Sequence, residues 1–404
     1  MEEHTPGALR RLVARGRLLR MVSARGSLVR PTDAPQVFVG GRRSMRVLVA
    51  GSGPVAGWGV GSHDLALPGA LARALAATTG RGAVVDVLPH PSGGVRWLRK
   101  ALAGADLERY DAIVLSAAVA DALRMVDPVR WARHVEAVLR MAHGGERAVV
   151  WLGAQPIRSI RPYDTPDGDE AERHAERLNE AARAACRATG AVFLPMPAPP
   201  APEAGRHRSP ADYLFWARLI ADAVAPAVHG RPAAPAHLSG PEDRVQAIER
   251  LGLPGPGAEP TDRTARLEGL VGTARRTLGT EVAMFTVLDD RREWPLAAVG
   301  ATLVEIPIEQ SACIHTIRSA DGMVVPDAEH DERFAASDLV TGPANLRFYA
   351  GYPVEAPDGT RIGALCVFGR RARDAAESET DLDVLRELAL LAQRELWRWE
   401  GGAD

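Results

Sequence analysis

The 404-residue sequence has only three cysteines and a single lysine, Lys100. Cys186, Cys313 and Cys366 are too few for a disulfide framework, which predicts a reducing, cytoplasmic setting. No apolar run approaches the roughly 18 residues of a membrane span, so the sequence excludes an integral membrane protein. Lysine and arginine number 49 against 51 aspartates and glutamates, a net charge of −2 that argues against nucleic acid as the main partner.

Residues 1–44 are rich in arginine, with leucine and valine at loosely helical spacing, and they predict a basic N-terminal helical leader. The arginines interrupt every apolar stretch, so the segment does not fit a secretory signal. Two placements are open. The helix docks on the domain that follows, or it lies as a basic amphipathic helix on an anionic membrane surface.

From residue 45 onward, apolar and β-branched runs alternate with helical stretches. Strands without polar alternation, separated by helices, predict a parallel sheet covered on both faces, that is, a three-layer α/β domain. We expect this domain to span residues 45–229. Its five predicted strands are 46–50, 83–87, 112–115, 148–152 and 191–194.

A glycine-rich turn that contains Gly51 and Gly53 follows the first predicted strand. Ligands bind at the carboxyl ends of the strands in open α/β sheets, so the turn is a candidate site. One interpretation is a dinucleotide fingerprint, Gly51-x-Gly53-x-x-Ala56, in which backbone amides hold a pyrophosphate. That fingerprint expects an acidic residue about 20 residues further on. Asp86 lies 33 residues beyond Gly53, inside a strand.

The second interpretation rests on four blocks that occur in order along this domain. They are Gly51-Ser52-Gly53 with Ala56-Gly57-Trp58-Gly59, then Ser92 to Leu98, then Ala118-Val119-Ala120-Asp121, and finally Ala204-Gly205-Arg206-His207 with Tyr213 and Trp216-Ala217. In these blocks the domain resembles the SGNH (GDSL-type) hydrolase family. The resemblance implies a flavodoxin-like fold. It also implies ester hydrolysis by a serine, a histidine base and an orienting aspartate, with glycine and asparagine oxyanion donors.

This sequence departs from the family pattern at three catalytic positions. The nucleophile position is Gly53, the asparagine position is Ala120 and the aspartate position is Ala204. His207 and the glycine at Gly93 are retained. These departures predict a domain without hydrolase activity. The alternative is a rebuilt esterase in which Ser52 is the nucleophile and His207, oriented by Glu203, is the base.

The predicted pocket of this domain also has structural interpretations. We expect Gly51, Gly53, Gly93 and Asp121 to line it. Arg158 and Arg161 follow the fourth strand, where they would bind an anionic group, because arginine matches carboxylate and phosphate geometry. The structural alternatives are a solvated loop for the two arginines, a helix cap for Asp121 and a hydrogen-bonded structural histidine for His207.

Residues 230–242 form a linker by their proline, glycine and alanine content, and a second domain spans 243–400. It resembles a GAF domain in an ordered set of motifs, which are Ser311 to Ile317, Val324 to Ala328, Asp331 to Phe334, Leu339 to Pro343, Arg347 to Gly351 and Ile362 to Val367. The resemblance implies an α+β fold with an antiparallel sheet, helices on one face and a ligand pocket on the other. Turn residues Pro357, Asp358 and Gly359 predict a hairpin.

The expected lining of the second pocket is Cys313, His315, Asp327, Phe334, Phe348 and Tyr349, which combines aromatic walls with a few polar groups. Cys313 and Cys366 are either a redox pair or small buried hydrophobes. Cys313 and His315 lack further metal ligands, so we predict no metal and no evident cofactor. The predicted ligand is a small molecule whose identity the sequence leaves open.

The C-terminal helix carries an apolar stripe that runs from Leu382 to Trp399. It either forms a homodimer or packs on its own sheet. Since the sequence shows no output module, it predicts a cytoplasmic, ligand-sensing regulatory protein that acts on an unidentified protein partner. Two alternatives stay open, namely a GAF-regulated esterase with a rebuilt site and a redox protein that uses Cys313.

Overall fold

The structure is a computed structural model of the chain. It describes residues 16–17, 28–41, 44–144, 147–200, 208–228, 240–259, 261–302, 304–319 and 321–398. Most of the predicted leader and linker lies outside these residues. The chain divides into two units, Met1–Ala234 and Pro235–Asp404, and each is described by itself.

The first unit is an α/β domain built on one six-stranded sheet. Its strands are β1 (Gln36–Val39), β2 (Met45–Gly51), β3 (Ala83–Pro89), β4 (Ala112–Ser116), β5 (Ala148–Leu152) and β6 (Val192–Leu194). Its helices are α1 (Leu67–Thr79), α2 (Val95–Ala103), α3 (Ala118–Leu123), α4 (Pro128–Ala142), α5 (Pro166–Thr189) and α6 (Pro210–Val228). The strand order is β1-β3-β2-β4-β5-β6, with β2 to β6 parallel, so the five predicted strands are confirmed.

The sheet is mixed rather than purely parallel, because β1 runs antiparallel to β3. Its Gln36 pairs with Asp86 and its Val39 with Ala83. This strand lies inside the segment predicted to be a helical leader, and that prediction is wrong for residues 36–39. The run Gln-Val-Phe-Val is rich in β-branched and aromatic residues, which favour a strand at the open edge of a sheet.

Helices cover both faces of this sheet, as the apolar strands predict. Alternate residues of each strand point to opposite faces. Leu48 and Leu115 pack in one cluster with Trp131 of α4 and Leu178 of α5. The other face buries Val47, Val49 and Val114 against Leu71 of α1 and Trp216 of α6. The carboxyl ends of the parallel strands, together with the turns that follow them, therefore form the edge where a site can lie.

The second unit is built on an antiparallel sheet of six strands in the order β10-β11-β12-β7-β8-β9. The strands are β7 (Val282–Leu288), β8 (Arg292–Val299), β9 (Ile306–Pro307), β10 (Met323–Val325), β11 (Phe348–Glu355) and β12 (Arg361–Gly369). The helices are α7 (Pro241–Arg250), α8 (Asp262–Leu278), α9 (Cys313–Thr316), α10 (Asp338–Thr341) and α11 (Ala375–Trp397). The antiparallel sheet and the hairpin of β11 and β12 are confirmed. Helix α7 begins at Pro241, inside the predicted linker.

The apolar stripe of α11 packs within its own unit. Leu385, Ala389, Ala392 and Leu396 are all buried, and the helix contacts β11 and α8. The indole Nε1 of Trp397 donates to the carbonyl of Glu355 over 2.6 Å. Because these residues are already covered, a homodimer would need a different surface, and dimerisation stays a prediction.

Candidate functional site

The glycine-rich turn after β2 passes very close to the neighbouring strand. Gly51 has a φ of 130°, and a Cβ on it would lie 1.8 Å from the carbonyl oxygen of Ser116 on β4. Packing therefore requires glycine there. Gly53 has a φ of 67°, yet the nearest atom to a Cβ at that position is Ser116 Oγ at 3.9 Å. The nucleophile position has space for a side chain and carries none.

Ser52 is buried beside this turn, with 1% of its surface exposed. Its backbone N–H donates to the carbonyl of Ser116 over 2.8 Å, and its Oγ has no hydrogen-bond partner among the described residues. A serine nucleophile needs a base within hydrogen-bond reach. His207, Ala204 and Glu203 lie outside the described residues. The Ser52–His207 pair therefore stays a prediction.

The two oxyanion positions are occupied by Ala120 and Gly93. Ala120 is buried in α3 and has no side-chain donor. A Cβ on Gly93 would lie 2.7 Å from the Trp97 ring and 2.9 Å from His90. Glycine at this position thus permits the two rings to pack, with their centroids 4.7 Å apart. Of the two donors that the resemblance implies, at most a backbone N–H remains.

Asp121 is used by the fold. Its Oδ2 accepts from the backbone N–H of Val95 over 2.7 Å and from the indole Nε1 of Trp131 over 2.8 Å. Val95 is the first residue of α2, so the carboxylate caps that helix from a neighbouring element. Burial raises the pKa of Asp121, and the two donors oppose that rise. These contacts support the helix-cap interpretation.

Among the described residues, a small cavity of about 20 Å³ lies above the turn, which is space for roughly one water molecule. Its lining includes Gly53 and Trp58 of the first block, Val119 of the third and Trp216 of the last, together with Arg208. The first and last blocks are joined directly, because the Tyr213 hydroxyl donates to the carbonyl of Trp58 over 2.7 Å.

Arg208 is a buried residue in the lining of this cavity. It is 3% exposed, and its guanidinium carbon lies 5.1 Å from the centroid of the Trp216 ring. Its Nη1 donates to the carbonyl of Ser159 at 3.5 Å. Arg208 is not among the site residues that the sequence predicts. Its place directly after His207, at the start of the last helix, is the signal that would have found it.

Arg158 and Arg161 do not line this cavity. Arg158 is exposed, and its guanidinium lies 3.0 Å from Asp164 and 3.2 Å from Asp169. The hydrogen bond that Arg158 donates to Asp164 and the charges of both carboxylates raise the pKa of Arg158. Arg161 is exposed on the same turn. The geometry favours the solvated-loop interpretation of these arginines.

Asp86 is already satisfied by the protein, which argues against the dinucleotide interpretation. Its carboxylate lies 2.8 Å from Arg109 and 3.3 Å from Arg46, and accepts from the Tyr110 hydroxyl at 2.9 Å and from Gln36 at 2.6 Å. The residue is 4% exposed. Burial alone would raise the pKa of Asp86, but these charges and donors lower it. A carboxylate held in this way is not free to bind ribose hydroxyls.

The second unit contains a much larger cavity, about 490 Å³, over β7, β8 and β12. This volume lies within the range of small-molecule sites. The walls are mostly apolar and include Met284, Pro295, Val304, Ile306, Leu339, Leu346 and Phe368. Polar groups in the lining include Glu293, Thr286 and Cys313, with Glu281 and Arg370 among the exposed lining residues.

Cys313 is the one predicted lining residue that this cavity includes. His315 and Phe334 pack edge to face with ring centroids 5.5 Å apart, and Phe334 stacks on Tyr349 at 6.4 Å. Phe348 is fully buried beneath the guanidinium of Arg373, 4.2 Å away. Asp327 pairs with His330 at 2.9 Å on the surface. These five predicted residues build the fold around the cavity instead of lining it.

Glu293 lines this cavity and is not among the site residues that the sequence predicts. It is 4% exposed, and the Ser311 hydroxyl donates to its carboxylate. Burial raises the pKa of Glu293, and hydrogen bonds from Ser311, Cys313 and Thr286 oppose the rise. The sequence feature that could have identified Glu293 is the turn at Asp289-Asp290. A turn there implies a second strand, antiparallel to the first, in which Glu293 and Pro295 share one face.

The Cys313 and Cys366 sulfur atoms lie 3.6 Å apart as free thiols. Tyr349 also donates to Cys313 Sγ at 3.5 Å. Burial, with the adjacent thiol and Glu293, raises the pKa of Cys366 well above its usual value. Thiolate is the reactive form, so this environment disfavours nucleophilic chemistry at Cys366. Across the described ranges of both units, no three His, Cys, Asp or Glu side chains converge on a metal-sized site.

Comparison with known proteins identifies the first unit. Residues 51–230 match the GDSL-like Lipase/Acylhydrolase family, so this part of the chain is a GDSL-like lipase/acylhydrolase domain. Over 154 residues the chain is 32% identical to a cyclic di-GMP phosphodiesterase from Pseudomonas aeruginosa. That stretch is 37% of this chain and 25% of the relative, so the chain spans a quarter of the relative's length.

Solved structures resemble parts of this chain. A carbohydrate acetylesterase from Sinorhizobium meliloti is 16% identical, covers 45% of this chain and 99% of its own, and has a TM-score of 0.37. A free methionine-R-sulfoxide reductase from Neisseria meningitidis, in complex with its substrate, is 19% identical, covers 41% of this chain and 97% of its own, and has a TM-score of 0.30. Within the described residues, no helix is long and apolar enough to span a bilayer.

Proposed function

We propose that this chain, whose first unit is a GDSL-like acylhydrolase domain without a serine at the nucleophile position, is a cytoplasmic ligand-sensing regulatory protein. The second unit is a GAF-type domain that binds a small molecule and passes the signal to a protein partner. The observation that carries the proposal is the contrast between Gly53, which leaves the nucleophile position without a side chain, and the largely apolar cavity of about 490 Å³ in the second unit.

Three features of the first unit argue against turnover. Gly53 has no atom with which to attack an ester. Ala120 gives no oxyanion donor, and one such donor is worth about two to three decades in rate. Arg208, Trp58 and Trp216 line a space that holds roughly one water molecule. An ester does not fit there without displacing one of these side chains.

The relative from Pseudomonas aeruginosa supports a role in signalling. It is named for a nucleotide second messenger, and the shared 154 residues are a quarter of its length. We take from it the signalling context and not the phosphodiesterase activity. A sensory module that is shared between proteins with different partner domains explains this pattern of partial identity.

Ester hydrolysis tests the first half of the proposal. We expect purified full-length protein to hydrolyse p-nitrophenyl acetate no faster than buffer does. We expect the same of Gly53→Ser, because the oxyanion donor at Ala120 is still missing. Turnover by the wild type that disappears in Ser52→Ala or His207→Ala would instead establish the rebuilt esterase.

A screen for stabilising ligands tests the second half. Metabolites that raise the unfolding temperature of the full chain should lose their effect in Ala344→Trp, which places a large ring on an exposed residue of the cavity lining. Ala336→Trp, on an exposed residue outside that lining, is the matched control. Ligands that stabilise both variants as well as the wild type would show that sensing does not use this cavity.

A further inference from the structure

The large cavity of the second unit has an uneven distribution of polar groups. Apolar side chains such as Met284, Ile306, Leu346 and Phe368 make up most of its wall. The buried polar atoms gather at one place, where Glu293 on β8 lies beside Thr286 on β7 and Cys313 on α9. A ligand that fills this space therefore meets hydrocarbon over most of its surface and one buried carboxylate at a single point, while the other charged lining residues, Glu281 and Arg370, are exposed to solvent.

Glu293 is an unusual buried acid because no basic group of the protein accompanies it. Within the residues that the structure describes, its hydrogen-bond donors are the hydroxyls of Ser311 and Thr286 and the thiol of Cys313. No ion pair to an arginine or histidine is formed there. Buried carboxylates in proteins are normally paired with a cation or neutralised by a proton, since an isolated charge is costly to desolvate.

The first unit shows what a paired carboxylate looks like in this same chain. Asp86 is as deeply buried as Glu293, but two guanidinium groups, those of Arg109 and Arg46, lie within 3.3 Å of it. Those charges lower its pKa despite the burial. Burial without such charges raises the pKa of Glu293. No described residue supplies a cation that pairs with Glu293. Because Glu293 lines the cavity, a ligand in the cavity can supply that cation.

We propose that the cavity of the second unit binds a small organic cation, with an ammonium group against the carboxylate of Glu293 and an apolar body along Met284, Leu346 and Phe368. This inference rests on the proposed ligand-sensing function and specifies the class of ligand. An ammonium group supplies three donors and the missing positive charge, and the apolar walls bury the remainder of the molecule.

An inorganic cation fits these surroundings less well. Calcium and magnesium take six or more oxygen ligands, many of them carboxylates or waters. The cavity offers a single buried carboxylate, and the surrounding wall is hydrocarbon. An organic cation needs only one ion-pairing contact and gains from the apolar surface that a hydrated metal ion would leave unused.

Two pairs of isosteric probes test the inference on the full-length protein by isothermal titration calorimetry. They are 2-phenylethylamine with 2-phenylethanol, and 3-methylbutylamine with 3-methylbutan-1-ol. At neutral pH both amines carry the ammonium charge, and the alcohols have the same shape without it. We expect each amine to bind at least about tenfold more tightly than its alcohol, a ratio that one retained ion pair readily provides.

The preference for the amine should depend on Glu293. In Glu293→Gln we expect the affinity of each amine to fall to that of its alcohol, while the alcohols bind as they do to the wild type. Glu309→Gln removes an exposed carboxylate of the same unit outside the cavity lining and should keep the full preference. Ser311→Ala keeps the Glu293 carboxylate and removes one donor to it, so this variant should retain or increase the preference.

The outcomes separate this inference from the proposed function. If amine and alcohol bind equally well, or if Glu293→Gln keeps the preference, the cavity is a ligand site but not a cation site. The inference then fails and the sensing proposal stands. If neither member of either pair binds the wild type, the inference is also overturned. The metabolite screen with Ala344→Trp decides the sensing proposal independently. If Glu293→Gln does not fold, Ser311→Ala and the wild-type ratio still decide the inference.

Discussion

Asp86 and Glu293 are both buried carboxylates on β-strands, and the protein treats them in opposite ways. Asp86 in the first unit is surrounded by Arg109, Arg46, Tyr110 and Gln36, which together satisfy its charge. Among the described residues, Glu293 in the second unit has only hydroxyl and thiol donors, and it borders a large cavity. The comparison shows that burial of an acid does not by itself mark a site. The informative observation is whether side chains of the protein neutralise the buried carboxylate.

The two units also differ in the space that they leave open, above the turn after β2 in the first unit and over the sheet in the second. In the first unit, Arg208, Trp58 and Trp216 line a cavity of only about 20 Å³ above the turn that follows β2. In the second unit the space over β7, β8 and β12 is left open. The GDSL-like domain thus keeps the fold of its family with little space directly above this turn, whereas the volume over β7, β8 and β12 lies within the range of small-molecule sites.

The largest effect is expected from Asp86→Ala. Removing the carboxylate leaves the buried Arg109 and the half-buried Arg46 without their counter-charge. Breaking a buried ion pair from one side typically lowers the free energy of unfolding by about 3–5 kcal/mol. Calorimetry of the full chain should show the transition of the first unit shifted to lower temperature. Asp222→Ala, at an exposed position of α6, is the matched control. A loss below about 1 kcal/mol would mean that Asp86 is not the centre of this network.

A smaller effect of opposite sign is expected from Glu293→Gln. Because burial raises the pKa of Glu293, the folded state holds its proton more tightly than the unfolded state does. Glu293 contributes its full stabilisation at pH values below the pKa that it has in the unfolded chain. That contribution is lost as the pH rises through the higher pKa that Glu293 has in the folded protein. Glutamine does not titrate, so the variant should be more stable than the wild type at neutral pH, by about 1 kcal/mol.

Unfolding of the second unit between about pH 4 and about pH 8 measures this difference. The two proteins should be equally stable at the acid end of that range and diverge as the pH rises. Glu309→Gln should follow the wild type throughout. A variant that is less stable than the wild type at every pH would show that Glu293 is held by protein partners as Asp86 is, and the contrast between the two acids would disappear.

The smallest effect is expected from Ser52→Ala. The Ser52 hydroxyl is buried without a hydrogen-bond partner in the described part of the chain, so removing it takes away an unsatisfied polar group. The first unit should become more stable by less than about 1 kcal/mol. Chemical denaturation measures the change. A clear loss of stability would reveal a partner for this hydroxyl, with His207 as the first residue to test.

The sequence predicted the sheets well because their signals are local. Each of the parallel strands β2 to β6 is an apolar run bounded by helices, and the hairpin of β11 and β12 has its turn at Pro357, Asp358 and Gly359. The departures from the hydrolase pattern at Gly53 and Ala120 are likewise visible in the sequence. The strand β1 was missed because an edge strand of four residues gives almost no periodic signal.

The cavity lining was predicted poorly, and the reason is geometric. Phe348 and Tyr349 are neighbours on β11, so their side chains point to opposite faces of the sheet and cannot both line one cavity. The predicted lining followed from the chemical type of the side chains. The observed lining depends on which face of β7, β8 and β12 is left uncovered. That uncovered face includes Met284, Thr286, Glu293 and Pro295, residues that alternate along two neighbouring strands.

The antiparallel strand β1 has a practical consequence for any truncation of this protein. The pattern of the sequence invites a domain boundary at Met45, immediately before β2. Cutting there would strip the outer edge of β3 and remove Gln36 from the carboxylate of Asp86. It would also remove Asp33, which accepts from His63 at 2.8 Å. An uncovered strand edge is a template for intermolecular pairing, so a fragment that begins at Met45 would be prone to aggregation.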